Sequence, residues 1–463
     1  MYATSGTLDG KASCTGTFSY TVSDMASPTS APIGLALRAV RTLASSDVLD
    51  RLGVRDGAER VLYRTTRDGF RAVGTAGRTF TAAKRAGRPA RLKPTRSGLF
   101  DLTPTDEQQM LVEAFGEFAA KKLRPAALDA DAAATPPKEL LAQAEELGLT
   151  MLGVPEELGG AVEERSSVTA VLAAEALAHG DLGLAVAALA PAGVATALTL
   201  WGDADQQATY LPSFVEDTAP SAALAILEPR PLFDPFTLQT TARKTAAGYE
   251  LSGVKSLVPR GADAELLIVA ARLEGHGPAL FLVEPARVEG LSARPAPAMG
   301  VRAAGTADLK LEAVAVPDTA LLGDGDPQVY AEAVRRARLA WCAVATGAAK
   351  AVVDHTIPYV NERTAFGEPI SHRQSVAFAV SNMAIEAAGM RLATLRAAAR
   401  ADAGEDFARE VAVARHLCSE QGMYIGSEGV QLLGGAGYIK EHPVERWYRD
   451  LRAIGVMEGA LLV

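Results

Sequence analysis

The pattern of apolar and polar residues changes character twice along the chain. From about 99 to 218, apolar residues recur every three or four positions, which is typical of amphipathic helices, and Thr105 with Gln108 predicts a capping box. Between about 219 and 325, short runs of branched apolar residues alternate with Gly, Pro and Asp, which is typical of strands. From about 326 to 463 the pattern is helical again, over longer stretches.

This order of elements favours an α+β protein that is mostly α-helical. We expect an N-terminal helical domain (99–218), a middle antiparallel β domain (219–325) and a C-terminal four-helix bundle domain (326–463). Strands and helices do not alternate, so a parallel doubly wound sheet is not expected. The glycine-rich stretch 434–437 lies between helical segments rather than after a strand, so it is not the dinucleotide-binding fingerprint. Taken alone, it would be an ordinary helix C-cap.

Two segments precede these three parts. Residues 1–24 are polar and lack the features of a signal peptide, so we expect a disordered arm or an over-extended start. Residues 25–98 predict a basic helical extension that ends in a linker at 84–98. Residues 1–98 carry 16 Lys and Arg against 7 Asp and Glu, whereas the rest of the chain carries 30 against 48. This asymmetry fits a solvated helix face, an arm docked on its own acidic body, or contact with an anionic membrane surface.

The composition indicates a multidomain protein, which we expect in the cytoplasm. Peripheral binding of the protein to the inner face of the membrane is the alternative. The chain has 463 residues, of which 48% are hydrophobic and 22% are charged. We expect no transmembrane helix, because no run of about 18 apolar residues stands out. The three cysteines form no Cys-x-x-Cys pair and the six histidines are scattered, so we expect neither a disulfide framework nor a metal site. No nucleic-acid partner is expected.

Three stretches carry the functional signal. They read "TARKTAAGYELSGVKSLVPRGADAELLIVAAR" (241–272), "YVNERTAFGEPISHRQSVAFAVSNMAIEAA" (359–388) and "VQLLGGAGYIKEHPVERWYRDLRAIGVMEGA" (430–460). Together with the order of helices, strands and helices, they closely resemble the acyl-CoA dehydrogenase family over about residues 100–463. The resemblance implies FAD as cofactor and an acyl-CoA substrate. It also implies α,β-dehydrogenation to trans-2-enoyl-CoA, in the oxidation of fatty acids or related acyl groups.

The resemblance implies that FAD is bound between two subunits, and therefore a homodimer or homotetramer. Arg363 would hold the pyrophosphate, because the guanidinium fork matches phosphate oxygens, although an arginine at a charged helix end is also compatible with a surface ion pair. The other implied contacts to this half of FAD are Ala365, Phe366, Gln374, Gln431, Leu432, Gly434 and Gly435. The implied redox partner is an electron-transfer flavoprotein or a similar acceptor.

Glu458 lies in the apolar run "AIGVMEGALLV". Burial of an ionised carboxylate is costly and raises its pKa, which makes it a stronger base near neutral pH. The resemblance makes Glu458 the catalytic base and places Arg338 and Gly459 at the substrate, although Arg338 is also one of several arginines on its helix. One branch of the family carries its base on that helix, where this chain has Ala337, so Glu458 remains the candidate.

The chain departs from the family at two places. The family positions that contact the flavin ring usually carry hydroxyl or aromatic side chains, and this chain has none of these hydroxyls at Leu227, Phe233, Leu257 and Pro259. After Glu458, Ala460 replaces a usual threonine, and the sequence stops at Val463 before a family helix that also contacts FAD. A second hypothesis therefore stays open. It is a non-catalytic homologue, acting as a scaffold or acyl-CoA binder, whose flavin site is weakened or lost.

Overall fold

The computed structural model describes residues 103–160, 165–215 and 219–460. All of them belong to one unit, which starts at Gly98. The predictions for residues 1–24 and 25–98 lie outside the described residues and stay predictions.

The first part of the described chain is helical. Its helices are α1 (Asp106–Phe118), α2 (Arg124–Ala133), α3 (Lys138–Glu145), α4 (Ser167–Gly180), α5 (Leu182–Trp201) and α6 (Ala204–Phe214). The predicted capping box at the start of α1 is confirmed: the Thr105 hydroxyl accepts from the Gln108 N–H, and the Gln108 side chain accepts from the Thr105 N–H. A π-helical turn (Ala119–Leu123) joins α1 to α2.

Helix α5 is the central helix of this part. The expectation that no apolar run of about 18 residues is present was wrong, because α5 is long and apolar enough to cross a membrane, and among the described residues it is the one helix of that kind. Two thirds of its most apolar window is nevertheless buried within the protein, and Leu182, Val194 and Leu198 are fully buried. A helix that packs on most of its faces needs no polar stripe, which explains the continuous apolar composition.

The middle of the chain folds into a sheet. Its strands are β1 (Ala222–Ala225), β2 (Thr241–Thr245), β3 (Gly248–Val258), β4 (Leu266–Leu273), β5 (Gly277–Val283), β6 (Leu291–Pro295), β7 (Ala307–Val316) and β8 (Leu321–Leu322). The strand order is β6-β7-β3-β2-β4-β5-β8, and β1 also pairs with β4. Most pairs are antiparallel, as predicted, but β1 and β2 run parallel to β4. Local residue patterns do not encode the direction of pairing, so the sequence did not reveal the two parallel pairs.

The last part is again helical. Its elements are α7 (Pro327–Glu362), the hairpin strands β9 (Thr364–Ala365) and β10 (Glu368–Pro369), and the helices α8 (Gln374–Asp402), α9 (Ala408–Leu433) and α10 (Val444–Leu451). Helix α7 packs against α4, α8 and α9. Buried ion pairs join α10 to the N-terminal helices, because Arg446 contacts Asp181 at 2.9 Å and Arg449 contacts Asp131 at 2.8 Å. An unpaired buried charge is costly. These pairs therefore favour the one packing of α10 against the N-terminal helices in which every buried charge has its partner.

Candidate active site

Glu458 lies on a tight turn that follows α10. It is 7% exposed and lines a cavity of about 130 Å³ together with residues of α5 and α7. Both Glu458 (φ 54°) and Gly459 (φ 104°) have left-handed backbone conformations. At position 459 a Cβ atom would lie 2.7 Å from Pro235 Cδ and 2.9 Å from Arg338 Nη2, so only glycine fits. A left-handed glutamate is strained, and such strain persists only where the surroundings hold it.

Three separate elements hold this turn. Arg338 of α7 donates from Nε to the Glu458 carbonyl oxygen at 3.0 Å, and Arg415 of α9 donates to the Gly459 carbonyl oxygen. The Ala460 N–H donates to the Phe233 carbonyl oxygen at 2.9 Å, in the loop that follows β1. The backbone of the candidate base is therefore fixed by both helical and β parts of the unit.

The Glu458 carboxylate has one neutral partner. The Trp341 indole N–H donates to Oε1 at 3.2 Å. Burial raises the pKa of Glu458, and the Trp341 hydrogen bond and the charges of Arg415 and Arg338 oppose that rise without cancelling it. A buried carboxylate with a raised pKa beside an apolar cavity can act as a general base.

Two of these residues were missed by sequence reasoning. Arg415 is 3% exposed, and its Nε and Nη1 have no hydrogen-bond partner among the described residues. The sequence does contain a sign of its role. Arg415 is buried on α9 together with Ala414 and Cys418, and a charged residue among buried residues of a helix is unusual. Trp341 gives no such signal, because an aromatic residue on an inner helix face is ordinary core.

The four residues that depart from the family pattern are brought together around Glu458. The Ser256 N–H donates to the Leu227 carbonyl oxygen at 2.8 Å, which places the segment after β1 beside the end of β3. Leu227 and Phe233 are buried, and Pro259 lines the Glu458 cavity. Leu257 lines a neighbouring cavity of about 260 Å³ with Val456 and Met457.

A buried ion pair anchors the loop after β1. Lys255 donates to Glu228 at 2.9 Å and to the Ile226 carbonyl oxygen at 3.1 Å, and the Gln239 and Thr240 N–H groups also donate to Glu228. Burial would raise the pKa of Glu228, but Lys255 and the two backbone N–H groups outweigh it and lower that pKa. Burial lowers the pKa of Lys255 to about 8, so Lys255 is still mostly protonated at pH 7. At that pH the pair keeps its charges and fixes the loop that supports the Glu458 turn.

The residues expected at the nucleotide half of FAD form a separate surface group. Arg363, Gln374, Gln431, Gly434 and Gly435 are exposed, Phe366 is 95% exposed, and Ala365 and Leu432 are half-buried. The end of α7 meets the end of α9 here, because the Tyr359 hydroxyl donates to the Leu433 carbonyl oxygen at 3.2 Å. No described residue forms an ion pair with the Arg363 guanidinium. The structure thus brings these residues near one another and leaves them facing solvent.

The side chains at the Leu257 cavity suit the flavin ring of FAD, and those around Arg363 suit its nucleotide half. The cavity beside Leu257 and Met457 is lined mostly by apolar side chains, which suits the edge of a flat ring system. The exposed Arg363 suits a pyrophosphate, and a Cβ added at Gly434 or Gly435 would meet no atom within 4 Å, so open space lies beside that loop. On the ring side, the side chains of Leu227, Phe233, Leu257 and Pro259 offer no hydroxyl, so packing and backbone groups must replace those hydrogen bonds.

The order of helices, sheet and helices, the buried carboxylate and the apolar cavity next to it fit a flavin-dependent oxidoreductase. Family models of the acyl-CoA dehydrogenase N-terminal, middle and C-terminal domains match residues 105–218, 223–314 and 327–461. The chain belongs to the acyl-CoA dehydrogenase family, and its cofactor is FAD.

Individual relatives support this placement. The chain is 32% identical to the probable acyl-CoA dehydrogenase YngJ of Bacillus subtilis, over 77% of this chain and 95% of that protein. It is 30% identical to acryloyl-CoA reductase (NADH) of Anaerotignum propionicum, over 80% of this chain and 95% of that protein. The solved structure of butyryl-CoA dehydrogenase from Megasphaera elsdenii is similar, with a TM-score of 0.73 and 29% identity over 78% of this chain and 97% of that one.

Proposed function

We propose that this protein oxidises an acyl-CoA thioester to the trans-2-enoyl-CoA, in the breakdown of fatty acids or related acyl groups. The observation that carries the proposal is the buried Glu458, whose pKa is raised and whose turn is held from three sides beside an apolar cavity. A carboxylate in that position can remove the α-proton of a thioester. FAD, when bound, supplies the acceptor for the hydride that leaves the β-carbon.

The neighbours of Glu458 have distinct roles in this proposal. Trp341 hydrogen-bonds Oε1, which leaves Oε2 for the proton. Arg338 and Arg415 bond to backbone carbonyl oxygens and keep the turn in place. The backbone N–H of Glu458 is the donor that the chain offers to the thioester oxygen, where negative charge grows as the α-proton leaves. The apolar cavity walls contribute to the burial that raises the pKa of Glu458.

A visible spectrum and a rapid-mixing experiment test the proposal. We expect purified protein to show flavin absorbance that bleaches on anaerobic mixing with a saturated acyl-CoA. Because one relative is named as a reductase, the same experiment with an enoyl-CoA and reduced protein establishes the preferred direction. A colourless protein that still binds acyl-CoA would instead support the non-catalytic scaffold, which the missing hydroxyls at 227, 233, 257 and 259 favour.

We also propose that two subunits complete the FAD site in a homodimer or homotetramer. The exposed Arg363 group lies on the surface, and an exposed apolar stripe on α8 begins near it. Phe378, Ile385 and Leu392 repeat every seven residues on α8, and they are 58%, 65% and 56% exposed. A stripe of this kind is typical of a subunit interface.

Ile385→Asp tests the subunit interface. A carboxylate in the middle of the stripe should dissociate the oligomer and release FAD together with it, because desolvating an unpaired charge is costly. Light scattering gives the mass and absorbance gives the FAD content. Glu386→Asp, at the adjacent position, is the control. A monomer that retains FAD would show that the cofactor site does not need the partner.

The remaining partners follow from the family and from the basic N-terminal region. We propose that electrons pass to an electron-transfer flavoprotein or a similar acceptor. We propose a cytoplasmic location, in which residues 25–98 bind anionic membrane at the inner face. The 16 basic residues within 1–98 support the membrane contact.

A further inference from the structure

Helix α7 contacts both ends of the glycine-turn segment, residues 433–442. His355 and Tyr359 lie one turn apart on α7. At the start of the segment, the Tyr359 hydroxyl donates to the Leu433 carbonyl oxygen at 3.2 Å. At its end, Nε2 of His355 and Nδ1 of His442 lie 3.3 Å apart, so one of the two rings donates a hydrogen bond to the other. The glycines proposed to face FAD lie between these two contacts.

The same side of α7 leads on to Arg363. Arg363 follows Tyr359 by four residues, and its backbone N–H donates to the Tyr359 carbonyl oxygen at 2.8 Å. Residues spaced by four are neighbours on a helix surface, so His355, Tyr359 and Arg363 share one side of α7. The two contacts therefore hold the glycine-turn segment next to the residue proposed to bind the FAD pyrophosphate.

The two histidine rings are packed among aromatic rings and one cation. His355 packs edge-on against Trp447 of α10, with ring centres 5.7 Å apart, and His442 packs in the same way against Tyr359 at 5.6 Å. The Arg124 guanidinium of α2 lies 5.3 Å from the centre of the Trp447 ring and acts on His355 as a positive charge. Protonation of this pair is therefore opposed by burial and by a nearby cation.

No carboxylate within the described residues compensates for a charge on these two rings, because neither ring forms an ion pair there. The nearest carboxylate along the chain, Asp354, pairs instead with Lys350 and, at 3.0 Å, with His179 of α4. The loop itself contributes one charge of each sign, Lys440 and Glu441, and both are exposed. A second proton on the pair would therefore have little to stabilise it.

One hydrogen atom fits between the two facing ring nitrogens. As long as one of these nitrogens is unprotonated, it accepts the hydrogen bond that the other donates. When both are protonated, both are donors and two positive charges face each other. Burial, followed by the charges of His442 and Arg124, lowers the pKa of His355, so this state forms only below the ordinary histidine range. The contact is thus intact at neutral pH and repulsive in mild acid.

We infer that His355 and His442 form a proton-sensitive clamp, which holds the glycine-turn segment in place for FAD at neutral pH and releases it in mild acid. FAD binding weakens in acid, because the segment loses one of its two contacts with α7. Arg363 keeps its charge over this pH range, so its own attraction for the pyrophosphate does not change. The inference rests on the proposed FAD contacts of Arg363 and the 431–435 loop.

Three forms of the holoenzyme should differ in their response to pH, compared at about pH 7.5 and about pH 5.5, on either side of the ordinary histidine pKa. In the wild type, FAD release should be about tenfold faster in acid, as expected for the loss of one hydrogen bond, and amide hydrogen exchange in 433–442 should rise with it. His355→Gln places a non-titrating amide where Nε2 was, so neither quantity should change with pH. His355→Phe cannot form the bond, so it should behave at both pH values as the wild type does in acid.

Flavin fluorescence measures FAD release, and mass spectrometry measures exchange after correction for its intrinsic pH dependence. His442→Asn places an amide at the position of Nδ1 and is a second non-titrating variant. His276→Gln, at an exposed position between β4 and β5, is the matched control and should respond to pH as the wild type does. Thermal melting shows which variants are folded.

Two results would overturn the clamp. One is an equal response to acid in the wild type and in the folded non-titrating variants. The other is faster FAD release from the wild type in acid without any rise in exchange in 433–442. A holoenzyme that shows the expected exchange pattern but neither oxidises an acyl-CoA nor reduces an enoyl-CoA would support the clamp and overturn the proposed function.

Discussion

The Glu458 region and the Arg363 region differ in how much of each site a single chain completes. Glu458 is 7% exposed, and contacts from α7, α9 and the loop after β1 fix its turn. The Arg363 region lies in solvent, and its Phe366 is 95% exposed. The proposed base is therefore positioned within one chain, whereas the residues proposed to bind the cofactor's phosphates face solvent.

This difference has a physical basis. A carboxylate is a stronger general base when its pKa is raised, and for Glu458 burial within the folded chain raises it. Phosphates can be bound by exposed arginine and backbone groups, and a second subunit can supply the remaining contacts by association. We therefore expect changes near Glu458 to affect rate or folding, and changes near Arg363 to affect cofactor content.

The largest effect is expected for Glu458→Gln. This variant keeps the shape of the side chain and removes the base, so turnover should fall about 10²–10⁴-fold while FAD content persists. Rapid mixing with acyl-CoA measures the rate of flavin bleaching. Glu274→Gln, at an exposed position of the β domain, is the control. Bleaching at the wild-type rate in Glu458→Gln would mean that the base lies elsewhere.

Glu458 should also determine how kcat/KM of the wild-type protein depends on pH. Glu458 acts only when ionised, so kcat/KM should fall as the pH falls through its pKa. Because burial raises that pKa above the ordinary value for glutamate, the loss should begin at a higher pH than for an exposed carboxylate. A profile that stays flat down to about pH 4 would contradict this assignment.

The buried pair beneath the active-site loop should account for the next largest effect. Lys255→Met leaves Glu228 buried without its cation, which should cost about 3–5 kcal/mol in the free energy of unfolding. Urea denaturation measures it. Lys244→Met is the matched control, because Lys244 pairs with Asp318 on the surface and its loss should change little.

The loss of stability in Lys255→Met should also depend on pH. The folded pKa of Glu228 is lowered, so its contribution to stability is present above the unfolded pKa of about 4.3 and is lost as the pH falls towards the folded value. The difference between wild type and Lys255→Met should therefore shrink in acid. Equal stability of Lys255→Met and Lys244→Met at pH 7 would show that the loop does not depend on the buried pair.

Arg363→Ala should have a smaller effect, confined to the cofactor. Loss of a charged hydrogen bond to the pyrophosphate should weaken FAD binding by roughly 1.5–3 kcal/mol without unfolding the chain. FAD release on dialysis, read from absorbance, measures it, and Arg363→Lys tests whether the guanidinium fork matters beyond its charge. Arg396→Ala, on the exposed surface of α8, is the control. Full FAD retention in Arg363→Ala would remove Arg363 from the proposed site.

The smallest effect on turnover is expected from deletion of residues 1–98. The family models match from residue 105 onward, so flavin binding and dehydrogenation should stay unchanged. If the basic region contacts lipid, the deletion should abolish co-sedimentation with anionic vesicles at low salt. Lost activity in a deletion variant that remains folded would show that the region belongs to the site.

The sequence by itself determined the secondary structure and the identity of the candidate base. Helical and strand periods depend on neighbouring residues, so the helix–strand–helix order and the Thr105 capping box could be predicted locally. Glu458 could be named from its apolar run and from the resemblance of the surrounding motif. Arg363 and the 431–435 loop could be named in the same way.

Only the tertiary structure decided how these residues work together. The Arg338–Glu458 contact joins positions 120 residues apart, and the Arg415–Gly459 contact joins positions 44 residues apart. The parallel strand pairs and the hydrogen bond from the Trp341 indole to Glu458 likewise depend on packing. Local sequence patterns do not specify which distant segments meet, and the pKa of Glu458 and the space for a substrate depend on those meetings.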